Sequence, residues 1–155
     1  MMNKPTKTIF TETIREELIN RISLLNDNSN ARWGKMNVFQ MVKHNTYWNG
    51  WILGEDNHNY KQAFMGKIFG GIGLRKMIKD ENPFDKNIPT SSQFKVREMD
   101  GDLEVEKLKW ISLMKAYENY DNPDFIHDFF GKMTRAQIGI LVFKHSDHHL
   151  RQFGV

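Results

Sequence analysis

Apolar residues return at three- and four-residue spacing in four stretches spread over the whole 155-residue chain, which commits most of it to amphipathic helices. The first covers residues 11–25, with Ile14, Leu18, Ile22 and Leu25 on one side. Thr13 and Glu16 have capping-box spacing at its start, and the polar run from Asn26 to Asn30 ends it. The second, residues 37–53, opens with Asn37 and Gln40 at the same spacing and carries Val38, Met41, Val42, Trp48, Trp51 and Ile52. The third, residues 103–120, aligns Leu103, Trp110, Leu113, Met114 and Tyr117 until Asp121-Asn122-Pro123 stops it. The fourth begins at Thr134, with a capping partner at Gln137, and presents Ile138, Leu141 and Val142.

A long connection separates the second stretch from the third. Residues 61–79 mix Phe64, Met65, Ile68, Phe69, Ile72 and Met77 with Lys67, Arg75, Lys76 and Lys79, interrupted by Gly66, Gly70, Gly71 and Gly73. They read either as a basic amphipathic piece that touches a membrane surface or a partner, or as a short, glycine-broken helix over one end of the core. The cost of glycine inside a helix favours the second reading. Residues 82–96 hold two prolines and read as an extended crossover, followed by a faint hairpin signal at residues 95–102. The expected fold is all-α: one domain over residues 1–155, a four-helix bundle with a long crossover between its second and third helices.

Composition narrows the partners. Lys+Arg 22 against Asp+Glu 19 leaves a net charge of +3, so no dense basic field points to nucleic acid. Cysteine is absent, which removes disulfide scaffolds, thiolate metal sites and cysteine nucleophiles. The longest apolar run, residues 138–143, is far short of the roughly 20 residues of a membrane span. Residues 1–10 carry positive charge but lack the apolar core of a signal peptide. A soluble, cytoplasmic protein acting on a small molecule is the expectation, with a homodimer as an open alternative to a monomer.

Histidine is the unusual residue, with His145, His148 and His149 crowded near the C-terminus. His145 and His149 are four apart on a helix, about 40° and about 6 Å from each other, within reach of one ion. His145 continues the stripe of Ile138, Leu141 and Val142, so the pair faces inward, and bundle interiors are where facing helices assemble metal sites. A third ligand has to come from another helix. His44 lies three residues after Met41 and four before Trp48, on the apolar face of the second helix. Three neutral imidazoles leave coordination positions open for water or substrate, the mark of a catalytic site. The plainer alternatives are a hydrogen-bonded core histidine for His44 and solvated positions for the pair. His148 can stand in for His149, or support the site from outside together with Asp147 and Asn45. His127 reads as a cap for the last helix, His58 as solvent-exposed, and Asp147 with Arg151 as a helix-surface ion pair. The chain has no H-E-x-x-H, no phosphate-binding loop and no paired-carboxylate motif.

The closing string from Lys144 through His145, His148, His149 and Arg151 to Val155 resembles the signature of a family within the DinB/YfiT-like metalloenzyme superfamily. Similar agreement covers residues 129–134, residues 33–37 with Gln40, Met41 and His44, and residues 87–90 in the crossover. Asp128 and Ile138 depart from the pattern, where proline and tryptophan are expected. The resemblance implies a DinB-like four-helix bundle with a divalent ion on His44, His145 and His149. It also implies relatives that are transferases or isomerases using low-molecular-weight thiols such as bacillithiol or mycothiol. A metal-dependent thiol transferase or hydrolase is the first functional expectation. A non-catalytic bundle with a structural or vestigial metal is the second. Imidazole suits Zn, Ni, Fe, Mn and Co alike, so the ligands do not choose the ion.

Overall fold

A computed structural model describes residues 6–155; residues 1–5, part of the stretch read above for a signal peptide, lie outside it. Among the described residues there are α1 (Glu12–Leu24), α2 (Val38–Leu53), α3 (Phe64–Ile78), α4 (Leu103–Ala116) and α5 (Arg135–Gln152), and no strand. Four of these fall on the four periodic stretches, and α3 lies in the long connection. None is long and apolar enough to cross a membrane.

Helix starts follow local chemistry. Asn37 accepts from the Gln40 backbone N–H at 2.8 Å, while Gln40 accepts from the Asn37 N–H at 3.1 Å. Thr134 and Gln137 repeat the reciprocal pair at α5. The capping box expected from Thr13 and Glu16 is not formed, because α1 already starts after Thr11 and Thr13 lies inside it. Its entry is held by the buried Arg15 guanidinium, which donates to the Ile9 and Phe10 carbonyls at 3.3 and 3.0 Å. At its far end α4 tightens into a 3-10 turn, Tyr117–Asn119, before the chain reaches Pro123.

α4 packs on both α1 and α2, while α5 packs on α1, α2 and α3. Leu18, Ile22, Met41, Trp110, Met114 and Tyr117 are fully buried between them. Full burial of such side chains contributes roughly 1.5–3 kcal/mol each. The Tyr117 hydroxyl donates to Asn49 Oδ1 at 2.8 Å, so its polar end is satisfied inside the core.

Two buried lysines join helices end to side. Lys107 of α4 donates to the Leu25 and Ser23 carbonyls at 2.6 and 3.3 Å, at the C-terminus of α1. Lys144 of α5 donates to the Met77 and Asp80 carbonyls at 2.5 and 3.0 Å, at the end of α3. Each places a cation where helix carbonyls lack intrahelical partners. Lys107→Met keeps most of the side-chain volume but leaves those α1 carbonyls unpaired. It is expected to cost about 1–3 kcal/mol, measured as a lower urea midpoint at unchanged slope.

Three expectations need correction in the connection and beside α5. Residues 61–79 do not form a short, glycine-broken helix: α3 is one continuous helix of 15 residues. Gly66 and Gly70 lie on its buried face, where a Cβ would run into the Phe129 carbonyl. The close approach replaces the side-chain contacts those positions lack. Residues 95–102 make no hairpin, since their polar groups bond instead to the start of α2. Asn37 Nδ2 donates to the Met99 carbonyl at 2.6 Å, and Lys43 pairs with Glu98 at 3.0 Å. Asp147 is not a surface residue: it is 7% exposed and receives Arg21 of α1 at 2.8 Å as well as Arg151 at 2.7 Å. The expected crossover at residues 82–96 is irregular apart from a 3-10 turn, Ser92–Phe94.

Candidate metal centre

His44 sits mid-way along α2 and is 3% exposed, facing α5. His145 and His149 occupy successive turns of α5 on the side that meets it. One ring nitrogen from each of the three lies within 4.8 Å of the others, close enough to hold a metal ion. Nε2 of His44 and Nε2 of His145 are 3.3 Å apart. Two nitrogens on a tetrahedral ion with bonds of about 2.0–2.1 Å are separated by about 3.3–3.4 Å.

Neighbouring groups set the tautomers. His44 Nδ1 lies 3.0 Å from the Phe94 carbonyl, which can only accept, so Nδ1 carries the proton and Nε2 the lone pair. Phe94 is fixed for this by its ring, 5.0 Å from that of Trp51. Its turn is tied down by Asp128, which accepts from Ser91 and Gln93 at 2.8 Å each. Asp128 therefore anchors this site element by hydrogen bonds.

His149 Nδ1 is 2.9 Å from Gln152 Oε1. Gln152 donates its amide N–H to the Trp33 carbonyl at 2.8 Å, which fixes the amide orientation and leaves Oε1 to accept from His149. His149 thus also keeps its Nε2 lone pair. His145 is held differently, by its ring stacked on Trp48 at 3.9 Å and 15°. Its Nδ1 is buried without a hydrogen bond.

Burial pushes His145 and His149 well below the ordinary histidine range, and His44 below it despite the opposing bond to Phe94. All three are therefore neutral at neutral pH, the form that ligates. A bond between His44 and His145 uses one N–H and still leaves the His149 Nε2 lone pair turned toward its neighbours. A cation takes up one lone pair from each of the three rings, and the donor set fits a divalent ion.

A family model described as "Protein of unknown function (DUF1569)" matches residues 10–154. The chain belongs to the DUF1569 family. No curated protein and no solved structure matches it.

The other histidines of this DUF1569 chain stand apart from the triad. His148 points away, between Trp33 and Phe84 at 5.7 and 5.9 Å, although its ring is 5.2 Å from that of His149. With Arg32, Trp33, Phe84, Lys86 and Arg151 it lines a cavity of about 270 Å³. His127 does not cap α5. Its Nδ1 accepts from the Phe129 and Phe130 N–H groups, closing the loop before the helix, and Thr134 supplies the cap. His58 is exposed, as its acidic neighbours suggested. Asn45 bonds back to Met41 within α2, and Asp147 bonds to the two arginines, so neither hydrogen-bonds to the triad. The supports that do touch it, the Phe94 carbonyl, Gln152 and the Trp48 ring, were not read from the sequence as site elements. Gln152 had a signal, three residues after His149 on the same helix.

Proposed function

We propose that this chain is a divalent-metal protein of the DinB/YfiT-like type, with the ion on His44, His145 and His149. The observation that carries the reading is the convergence of three neutral imidazoles from two helices, two with their tautomers set by Phe94 and Gln152. Packing of α1, α2, α4 and α5 on one another supports a bundle of that type, with α3 added in the crossover. Its reaction is of the thiol-transferase or hydrolase kind. A divalent ion on three neutral nitrogens supplies Lewis acidity, which favours the deprotonated form of a thiol or of water. The chain has no cysteine, so a reacting thiol arrives with the small-molecule substrate. Arg32, Lys86 and Arg151 beside Trp33 and Phe84 suit an anionic group of the substrate held outside the triad, in the cavity that His148 lines.

The test is metal analysis of protein purified without a histidine tag. One equivalent per chain is expected, and no bound metal under replete conditions overturns the reading. Turnover of electrophilic substrates with added small thiols, lost on chelation and restored by the ion, then establishes catalysis. Bound metal without such turnover or hydrolysis assigns the site a structural role instead.

A further inference from the structure

The helix in the crossover is built inside out. Gly66, Gly70 and Leu74 form its buried side, against residues 129–130 and α5. At 100° per residue, Phe64, Ile68 and Ile72 fall on the opposite side. They are 74%, 52% and 71% exposed, with Met65 and Phe69 half exposed beside them. One helix of about 22 Å thus turns a continuous apolar strip to the outside, where a soluble surface helix would carry polar residues. The helix contains no acidic residue. Lys61, Lys67, Arg75 and Lys76 flank the strip, and none of the four takes part in an ion pair among the described residues.

We infer that α3 docks on an anionic lipid surface, its apolar strip sinking into the headgroup boundary and its cations meeting the phosphates. Charge separates this occupant from a second copy. Two α3 helices face to face would bring Lys67, Arg75 and Lys76 of both chains together with no carboxylate on the helix to pair with them. Charge also favours lipid over a folded partner: the apolar strip runs beside unpaired cations with no carboxylate on the helix, which suits a surface of phosphates over acyl chains. Glycine packing on the Phe129 carbonyl holds the helix in place, so its apolar face is presented without refolding.

The experiment is co-sedimentation of the full chain with phosphatidylcholine vesicles, with and without phosphatidylglycerol. Retention is expected only with the anionic lipid, weakening as salt shortens the screening length. Ile68→Glu with Ile72→Glu is expected to lower partitioning at least about tenfold. Arg75→Glu with Lys76→Glu should lower it by about fivefold or more per cation removed. These positions are exposed, so unchanged melting temperatures are expected; if the double glutamate variant melts early, the milder Phe64→Ser replaces it. No retention at low salt overturns the inference, as does retention indifferent to the apolar substitutions. Sedimentation as a dimer that Ile68→Glu dissociates, without vesicle binding, assigns the face to a second copy and overturns it as well.

Discussion

His149→Ala is expected to lower the affinity for a divalent ion by more than about 100-fold, the upper range for disturbing only a ligand's hydrogen-bond partner. His149 joins the centre to its support: Nδ1 is fixed on Gln152, which is itself fixed on the Trp33 carbonyl. Its loss leaves two imidazoles and an unpaired glutamine oxygen. Gln152→Leu removes the support but keeps the ligand, so its loss should be smaller, about 10–100-fold. His148→Ala removes a neighbouring ring that packs between Trp33 and Phe84, and should leave affinity nearly unchanged. Calorimetric titration gives the order directly. Melting with and without ion gives it again, because a ligand at about 1,000 times its dissociation constant adds about 4.1 kcal/mol to the native state. After a loss of about 100-fold the same ion concentration adds only about 1.4 kcal/mol, so His149→Ala should keep about a third of that stabilisation or less. Equal losses in His148→Ala and His149→Ala would mean that the ligands on α5 have been misassigned.

The three clustered histidines were legible because helical periodicity carries them. His145 and His149 share a face by spacing alone, and the apolar neighbours of His44 turn it toward the same interior. What fixes those rings was less legible. A backbone carbonyl such as that of Phe94 leaves no mark on the sequence, and its place depends on a crossover with no period. Trp48 looked like core, and it is core, but its ring is also the surface on which His145 lies. Asp147 and Arg151 were visible as a pair at helical spacing, whereas Arg21 reaches the same carboxylate from 126 residues away. The glycines of α3 misled for a different reason. Intrinsic propensity counts only the helix's own losses, and here the decisive contact lies on another segment.

That contact sets the sign of the other large effect. Gly66→Ala and Gly70→Ala are expected to destabilise the fold, although alanine is the better helix former by about 1 kcal/mol. At both positions an added methyl meets the Phe129 carbonyl, with the Phe130 backbone also near Gly70. Backbone cannot swing aside as a side-chain end can, and this backbone is anchored. The Asp128 carbonyl accepts from the Ala63 N–H at 2.7 Å, and residues 127 and 131 bond to each other across the loop. The methyl must therefore push α3 off the loop or drag the loop with it. Overpacking of this kind costs about 1–3 kcal/mol, and more where the obstacle is rigid. At the upper end of that range, and after the propensity gain, a net loss of up to about 2 kcal/mol is expected for each substitution, measured by urea unfolding. Gly71 supplies the internal control, because nothing lies within 4 Å of its missing Cβ. Gly71→Ala should gain stability by about 0.4–1 kcal/mol, through propensity and a less flexible unfolded chain. Opposite signs for glycines adjacent in one helix would show that contact with the 127–131 loop, rather than helix propensity, fixes where α3 lies. Stabilisation at all three positions would mean that α3 stands clear of that loop.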